Sequence, residues 1–569
     1  MNCKMQKNKL VRLAKIKCAA IARNNLKFNN FAFIATMVIS LFIYTRYYGN
    51  LSFGDEYDNF TYSWLMRSGV LPYRDFFTHH FPLLIFLGYP LELIGHTKII
   101  YRSLVLAITF TFFSSMYFYL KGPLKCSVLI FTLFSSFAIS FYSGFQFADG
   151  SFWAIILLAS FFIAAGKGTY VLNRAEITIL SFFIIFILLS SPMHVIAFVF
   201  LFAYRYFLIR SKTSQIAVYV GELKQVFLYS FAGLFIFFIY LVFTGSLKDF
   251  YFSTITFNNN YFYYRDHVQL INPKILDFYL HDFLSLVNHF KSVITTEGIA
   301  LITFVKSLKG VLSNIDNNSY IYLNLIFRDF YNNFFSFEVL IIIFYIVGLV
   351  SLFINKYKSL ALISLVFIFT TRLRIPEKIH EAPYYLLSYW LISVALVLFI
   401  RNVVKGKEVV VNVLGLLLSF ASIAIFVNKN WYDFNQIAFN RFPQNNFETV
   451  KYLKETSSPS DKILVISPES SSYYWESQRY PLGYFVNYFT WYNWSDRLRS
   501  RWEHDLDSTR ASYIIVSKEY WSNYARGLSQ EEWINSSLKK VAESTNPTDF
   551  HTFGNTMQKK DLIYSTKSD

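Results

Sequence analysis

Phe81–Gly95 reads FPLLIFLGYPLELIG, and the sidedness of everything after it turns on whether these residues cross a bilayer. The run is apolar but only 15 residues long, and it holds Pro90 and Glu92. A spanning helix needs about 20 apolar residues, within a range of ~17–25, and shorter runs more often lie at the interface or re-enter it. The segment is therefore expected to lie flat on the outer surface. With it flat, the basic loops KGPLK, GKGTYVLNR, NKYKS and RNVVKGKE all fall on the cytoplasmic side. With it spanning, several of them move outside, against the excess of Lys and Arg that cytoplasmic loops carry.

Composition puts the chain in a bilayer. Of its 569 residues 54% are hydrophobic and 20% aromatic, with 64 Phe and 42 Tyr, and only 16% are charged. Soluble domains carry about 25% charged residues. The net charge of +17 does not indicate nucleic-acid binding, because the basic residues sit in short loops between apolar runs. The first 27 residues hold eight Lys or Arg and no acid. That arm is long for a signal peptide and no small-residue cleavage site follows the next apolar run, so residues 1–29 are expected to be a basic cytoplasmic N-terminus. Cys3, Cys18 and Cys126 all fall on the cytoplasmic side of this topology, and no disulfide framework is expected. There is no Cys/His metal spacing; a divalent metal stays open.

Working outward from 81–95, spans are expected near 30–48, 99–119, 125–142, 151–166, 176–191, 193–209, 226–244, 336–354, 359–372, 384–400 and 409–427, about eleven in all. The fold class is thus an α-helical polytopic membrane protein. Its transmembrane domain covers 30–427, with outer loops at 49–98 and 245–335, and the spans are nearly free of buried charge. From about 430 the composition changes. FETVKYLKE reads as an amphipathic helix, KILVIS and ASYIIVS as strands and 529–542 as a helix. Strand–helix alternation predicts a small extracytoplasmic α/β domain over 428–569.

The residues able to do chemistry gather in the outward segments. The first loop reads SFGDEYDNFTYSWLMRSGVLPYRDFFTHHFPL. Asp55 and Glu56 at the membrane boundary suit acid–base work, or are solvated acids that help to set topology. Arg74, His79 and His80 supply cations and donors beside them, or meet lipid headgroups, or in Arg74's case pair with Asp75. Arg102 starts the second span and either joins the site or snorkels. Asp149 is the acid of the short second loop, as a helix cap, a functional group or both. Before the tenth span, RLRIPEKIHEAPYY places Arg372, Arg374, Lys378 and His380 outside, against the charge rule. Phosphate capture is the natural use of such a cluster, and headgroup binding the plain alternative.

The order and sidedness of this set resemble family-39 glycosyltransferases of the GT-C fold, which include protein O-mannosyltransferases and lipid A aminoarabinose transferases. The resemblance rests on Asp55-Glu56, Gly69, Tyr73, Asp75, His80 and Pro82-Leu83, then on Arg102, Asp149 and the basic, Tyr-rich loop at 372–385. The family commonly has Lys-Pro-Pro where this chain has His80-Phe81-Pro82. The resemblance implies a polyprenyl-phosphate sugar as donor and a glycan, lipid or protein acceptor at the outer face of the plasma membrane. It implies Asp55, Glu56 and Asp149 as catalytic residues. The donor phosphate would be held by Arg74, His79, His80, Arg102, Arg372, Arg374, Lys378 and His380. Tyr261, Tyr263, Tyr264, Trp491 and Trp494 are candidates for stacking on sugars. Cytoplasmic loops too short for a nucleotide-binding domain, with no Gly-rich phosphate loop in them, argue against a nucleotide-sugar donor. Oligosaccharyl transfer, a lipid-linked-glycan transporter or flippase, and a non-catalytic envelope scaffold are the competing expectations.

Overall fold

The structure is a computed structural model. It describes residues 30–45, 54–120, 123–143, 146–166, 171–209, 213–258, 337–354, 386–403, 447–467, 470–487, 495–508, 511–517, 539–547 and 558–565, with isolated positions between 306 and 417. The described chain is mostly helical with one small sheet unit. The helices are α1 (Asn30–Thr45), α2 (Gly54–Arg67), α3 (Leu83–Ile94), α4 (Lys98–Tyr119), α5 (Pro123–Ser143) and α6 (Asp149–Gly166). They continue with α7 (Arg174–Ser190), α8 (Val195–Ile209), α9 (Thr213–Phe243), α10 (Leu247–Tyr251), α11 (Phe337–Ile354) and α12 (Leu386–Val403).

The segment that decides sidedness forms α3, 12 residues long. At about 1.5 Å per residue it reaches ~18 Å, short of the ~30 Å hydrocarbon core. Gly88 lets α3 lie directly on α2: a Cβ there would fall 2.0 Å from Ser63 Oγ and 3.0 Å from the Tyr101 ring. The next two helices, α4 and α5, return the chain to the end of the bundle it left. Phe147, just after α5, donates its N–H to Glu56 of α2 at 2.8 Å. The first and second loops therefore lie at the same end, as a non-crossing 81–95 requires.

α7 and α8 are separated where the sequence has Ser190-Ser191-Pro192. Ser191 leaves helical geometry and a 3₁₀ turn, Pro192–His194, re-aims the chain, as Pro at a helix start favours. α9 is longer than expected, beginning at Thr213 rather than near 226. Two described helices, Lys98–Tyr119 and Ile216–Phe243, are long and apolar enough by themselves to cross a bilayer; others, such as Val195–Phe207, are apolar but shorter. The expected spans at 359–372 and 409–427 lie outside the described residues except for single positions.

The outer surface of α9 is apolar: Phe231, Ile236 and Phe243 are 67%, 70% and 87% exposed. A face of this kind is an aggregation surface in water and a fitting one against lipid tails. The expectation of spans nearly free of buried charge needs correction. Arg205 of α8 and Glu222 of α9 form a buried ion pair at 3.1 Å, and Glu222 also accepts the Leu172 N–H at 2.6 Å. Burial is tolerated because the charges compensate each other and the carboxylate gains a further donor from the backbone.

The C-terminal unit starts with α13 (Phe447–Thr456) and β1 (Lys462–Ile466). It continues with α14 (Ser470–Ser477), β2 (Tyr480–Pro481), α15 (Asp496–Ser508) and β3 (Tyr513–Ser517), then β4 (Lys539–Pro547) and β5 (Gln558–Ser565). The sheet order is β2-β1-β3-β5-β4, with β1 parallel to β2 and β3, and β5 antiparallel to β3 and β4. The expected helix at 529–542 is corrected at its described end, because Lys539 and Lys540 start β4 and pair with Ser565 and Tyr564. The pairing partner, β5, supplies the hydrogen bonds that override a helical local pattern.

Candidate active site

α2 is built from GDEYDNFTYSWLMR, a polar sequence by composition, yet the ten residues Glu56–Leu65 are all buried. A polar helix is stable in such a place only if its side chains find partners. Glu56 Oε1 accepts from Arg102 Nε at 3.0 Å and from Phe147 N, and Oε2 accepts from an Arg102 terminal nitrogen at 2.6 Å. Asn59 donates to the Phe147 carbonyl at 3.0 Å. One side of α2 is thereby clamped to α4 and to the second loop.

These contacts bear on two expectations, Glu56 as a catalytic acid and Arg102 as a phosphate ligand. Glu56 and Arg102 are both fully buried, and each is committed to the other in a forked, charge-assisted pair. Both side chains thus serve to join α2 to α4. Asp55, the second residue of α2, is described by its backbone alone; it immediately precedes this pinned pair. Asp149 is the first residue of α6, two positions beyond Phe147, and its Oδ1 accepts from Ser190 Oγ at 2.9 Å. The structure thus brings the second-loop acid to the start of the acidic helix.

The loop after α2 explains why Gly69, Tyr73 and Asp75 stand where they do. Gly69 has φ +87° and stops the helix in the left-handed conformation. Tyr73 has φ +69°, a strained position for a bulky residue and one that clusters at functional sites. Its phenol donates to the His80 carbonyl at 2.9 Å, while its own carbonyl accepts from Tyr484 Oη at 2.6 Å. Burial above all, and then the nearby Asp149 charge, push the Tyr73 hydroxyl well above its ordinary range, which keeps it a proton donor. Asp75 closes the loop by accepting the Leu71 N–H at 2.9 Å. It also takes two hydrogen bonds from Arg74, each 2.8 Å. Burial alone would raise the Asp75 carboxyl; the Arg74 and Leu71 hydrogen bonds and the charges of Arg74 and Arg501 outweigh it and hold it below the usual range. Arg74 is therefore paired with Asp75, the alternative open to it from the sequence, although nearly half of its side chain is exposed.

The His79 and His80 rings lie 4.2 Å apart, tilted by 37°, and the His79 carbonyl accepts from Asn258 at 2.9 Å. Asn258 follows a π-helical turn, Phe252–Thr256, a distortion often found near functional sites. The two histidines thus adjoin the Tyr73–Asp149 region. Arg372, Arg374, Lys378 and His380 lie outside the described residues, as do Tyr261, Tyr263, Tyr264, Trp491 and Trp494. Among the described residues no group of three or more His, Cys, Asp and Glu is arranged to hold a metal ion.

Several residues of this region carry no sequence signal. His194 stacks on Trp153 at 4.0 Å, each four residues along the chain from its side of the Ser190–Asp149 hydrogen bond. Glu92, inside the apolar α3, is fully buried. It accepts from Tyr101 Oη at 2.6 Å, from Trp475 Nε1 at 2.9 Å and from His96 Nδ1 at 2.9 Å. Burial raises its carboxyl, but the His96, Trp475 and Tyr101 hydrogen bonds and the His96 charge prevail and bring it below the usual range. Trp475 belongs to the C-terminal unit, so this cluster helps to dock that unit. A folded pKa lowered below the unfolded value means the contribution is fully present above about pH 4.3 and is lost as pH falls through the folded value. Acidification below about pH 4 should loosen the C-terminal unit, measured as faster proteolytic release or a shift in Trp emission. Glu92→Gln should start looser at pH 7 and lose that acid-dependent step.

No family model matches the chain, and no curated protein matches its sequence. Among solved structures it is similar to the oligosaccharyltransferase of Archaeoglobus fulgidus in complex with Zn and sulfate. That match has 11% identity over 85% of this chain and 68% of that one, with TM-score 0.42. The apo form of the same enzyme gives 12% identity over 85% and 69%, again at TM-score 0.42. ArnT from Cupriavidus metallidurans bound to undecaprenyl phosphate is similar at 11% identity over 93% of this chain and 97% of that one, with TM-score 0.43. At identities and TM-scores this low the likeness decides neither fold nor activity.

Proposed function

We propose that the chain is a membrane glycosyltransferase that moves a sugar from a polyprenyl-phosphate carrier to an envelope glycan, lipid or protein at the outer face of the plasma membrane. The observation that carries the reading is the convergence of two acidic loops. The Phe147 N–H bonds Glu56 at 2.8 Å, and Asp149 is two residues from Phe147 as Asp55 is one from Glu56. The exposed apolar faces of the helices suit a donor with a lipid tail.

In the proposed reaction the acceptor hydroxyl gives its proton to a carboxylate, Asp55 by preference. The oxygen then bonds the anomeric carbon from the face opposite the phosphate. The bond from that carbon to the phosphate oxygen breaks, and the polyprenyl phosphate departs with the electron pair, inverting the centre. Positive and hydrogen-bond-donating groups facing the departing phosphate lower the barrier. His79 and His80 are the described candidates, and the cluster of Arg372, Arg374, Lys378 and His380 is proposed to complete them. Glu56, Arg102 and Tyr73 hold the frame. This reading has the N-terminus cytoplasmic and the C-terminal unit outside.

The test is reconstitution in vesicles with a labelled polyprenyl-phosphate monosaccharide and an extract of envelope lipids and glycans. Label should pass to the acceptor with release of polyprenyl phosphate. Turnover only with polyprenyl-diphosphate glycans would replace this reading by oligosaccharyl transfer. Movement of lipid-linked label across the bilayer without transfer would replace it by a flippase.

A further inference from the structure

The side of α2 that does not face α4 and the second loop is held by the C-terminal unit, through side chains more than 400 residues away. Tyr57 Oη donates to Glu476 Oε1 at 3.0 Å, and Thr61 Oγ1 donates to the Ser471 carbonyl at 2.8 Å. Between them Asn487 Nδ2 donates to Asp58 Oδ1 at 2.7 Å. Asp58 is three residues after Asp55 on one helix, a spacing that makes the two neighbours along one face. The Asn487 amide has no freedom to turn over, because its Oδ1 accepts the Ser471 N–H at 3.2 Å. A backbone N–H is always a donor, so the amide's NH₂ has to face the carboxylate.

A carboxylate as buried as Asp58 is costly to hold in place unless it is bonded. An apolar contact would dock the two units with less desolvation. We infer that Asn487 is a positioning residue for the acidic helix, reaching in from the C-terminal unit to fix Asp58 and, through it, the turn that carries Asp55. This inference rests on the reading of Asp55 as the general base. It makes the C-terminal unit part of the catalytic frame rather than an appended acceptor module.

The experiment uses the full chain in vesicles, with four variants: Asn487→Leu, Asn487→Ser, Asn487→Asp, which sets two carboxylates against each other, and Asn487→Asp with Asp58→Asn. The double variant restores a donor facing an acceptor with the roles exchanged. Turnover and donor KM are measured together with hydrogen exchange of the α2 amides. The expected result is a fall in kcat of about 10- to 100-fold in each single variant, the order that misplacement by about 1 Å costs, with donor KM within about twofold. Exchange in the first turns of α2 should rise, and the double variant should recover both. Wild-type kcat and unchanged α2 exchange in a folded Asn487→Leu or Asn487→Ser chain would overturn the inference. So would recovery of thermal stability without kcat in the double variant, which marks a packing role alone. A wild-type chain inactive on polyprenyl-phosphate sugars would defeat the reaction, not the clamp, which α2 exchange still decides.

Discussion

Asp55→Asn should lower kcat by about 10²–10⁴-fold, the range that general-base assistance supplies, while the chain remains folded. Asn is isosteric with Asp and is accepted in the first turn of a helix. It keeps an acceptor oxygen but cannot take a proton from the acceptor hydroxyl near neutral pH. Donor KM should change little, because the phosphate is bound by other groups. Asp149→Asn is the informative companion, since its amide oxygen can still accept from Ser190 Oγ, as the Asp149 carboxylate does at 2.9 Å. A smaller loss in Asp149→Asn than in Asp55→Asn assigns the proton to Asp55, and the reverse order assigns it to Asp149. Near-wild-type turnover in both, with correct folding verified by size exclusion and Trp emission, would leave this end of the bundle without a general base.

What the sequence could reveal here depended on how far apart the partners lie. The shortness of α3 was legible because the length of an apolar run is a local property of residues 81–95. The break at Ser191-Pro192 was legible for the same reason. The start of α9 was not: TSQIAVYVGELKQ is half polar, and what buries its inner face is Arg205 bonded to Glu222 across the helix pair. The acids of the first loop were visible as acids, but their division of labour was not. Glu56 and Arg102 are 46 positions apart, and nothing between them announces a pair. Glu92 reads as a blemish in an apolar run until Trp475, 383 positions later, donates to it. Asn487 and Asp58 are further apart still. In the C-terminal unit, β1 and β3 were legible as apolar runs, whereas β4 is a polar edge strand specified by its pairing with β5.

Arg102→Leu should be the most destabilising single change in the membrane part, by about 3–5 kcal/mol, because it leaves Glu56 charged, fully buried and deprived of its counter-ion. Little of the chain should survive extraction as monodisperse protein, and what survives should melt well below the wild type. The companion change, Glu56→Leu with Arg102→Met, removes both charges together and should recover much of that loss, since a buried pair replaced by apolar groups is often neutral or better. It should not recover turnover. Glu56 Oε1 also accepts the Phe147 N–H at 2.8 Å, and an alkyl side chain leaves that donor without its acceptor and the second loop loose beside Asp149. Stability and activity should therefore separate in the double variant, as they do only if the pair serves to hold the two acidic loops together. An Arg102→Leu chain as stable as the wild type but with a sharply raised donor KM would return Arg102 to the phosphate site and make its bond to Glu56 incidental.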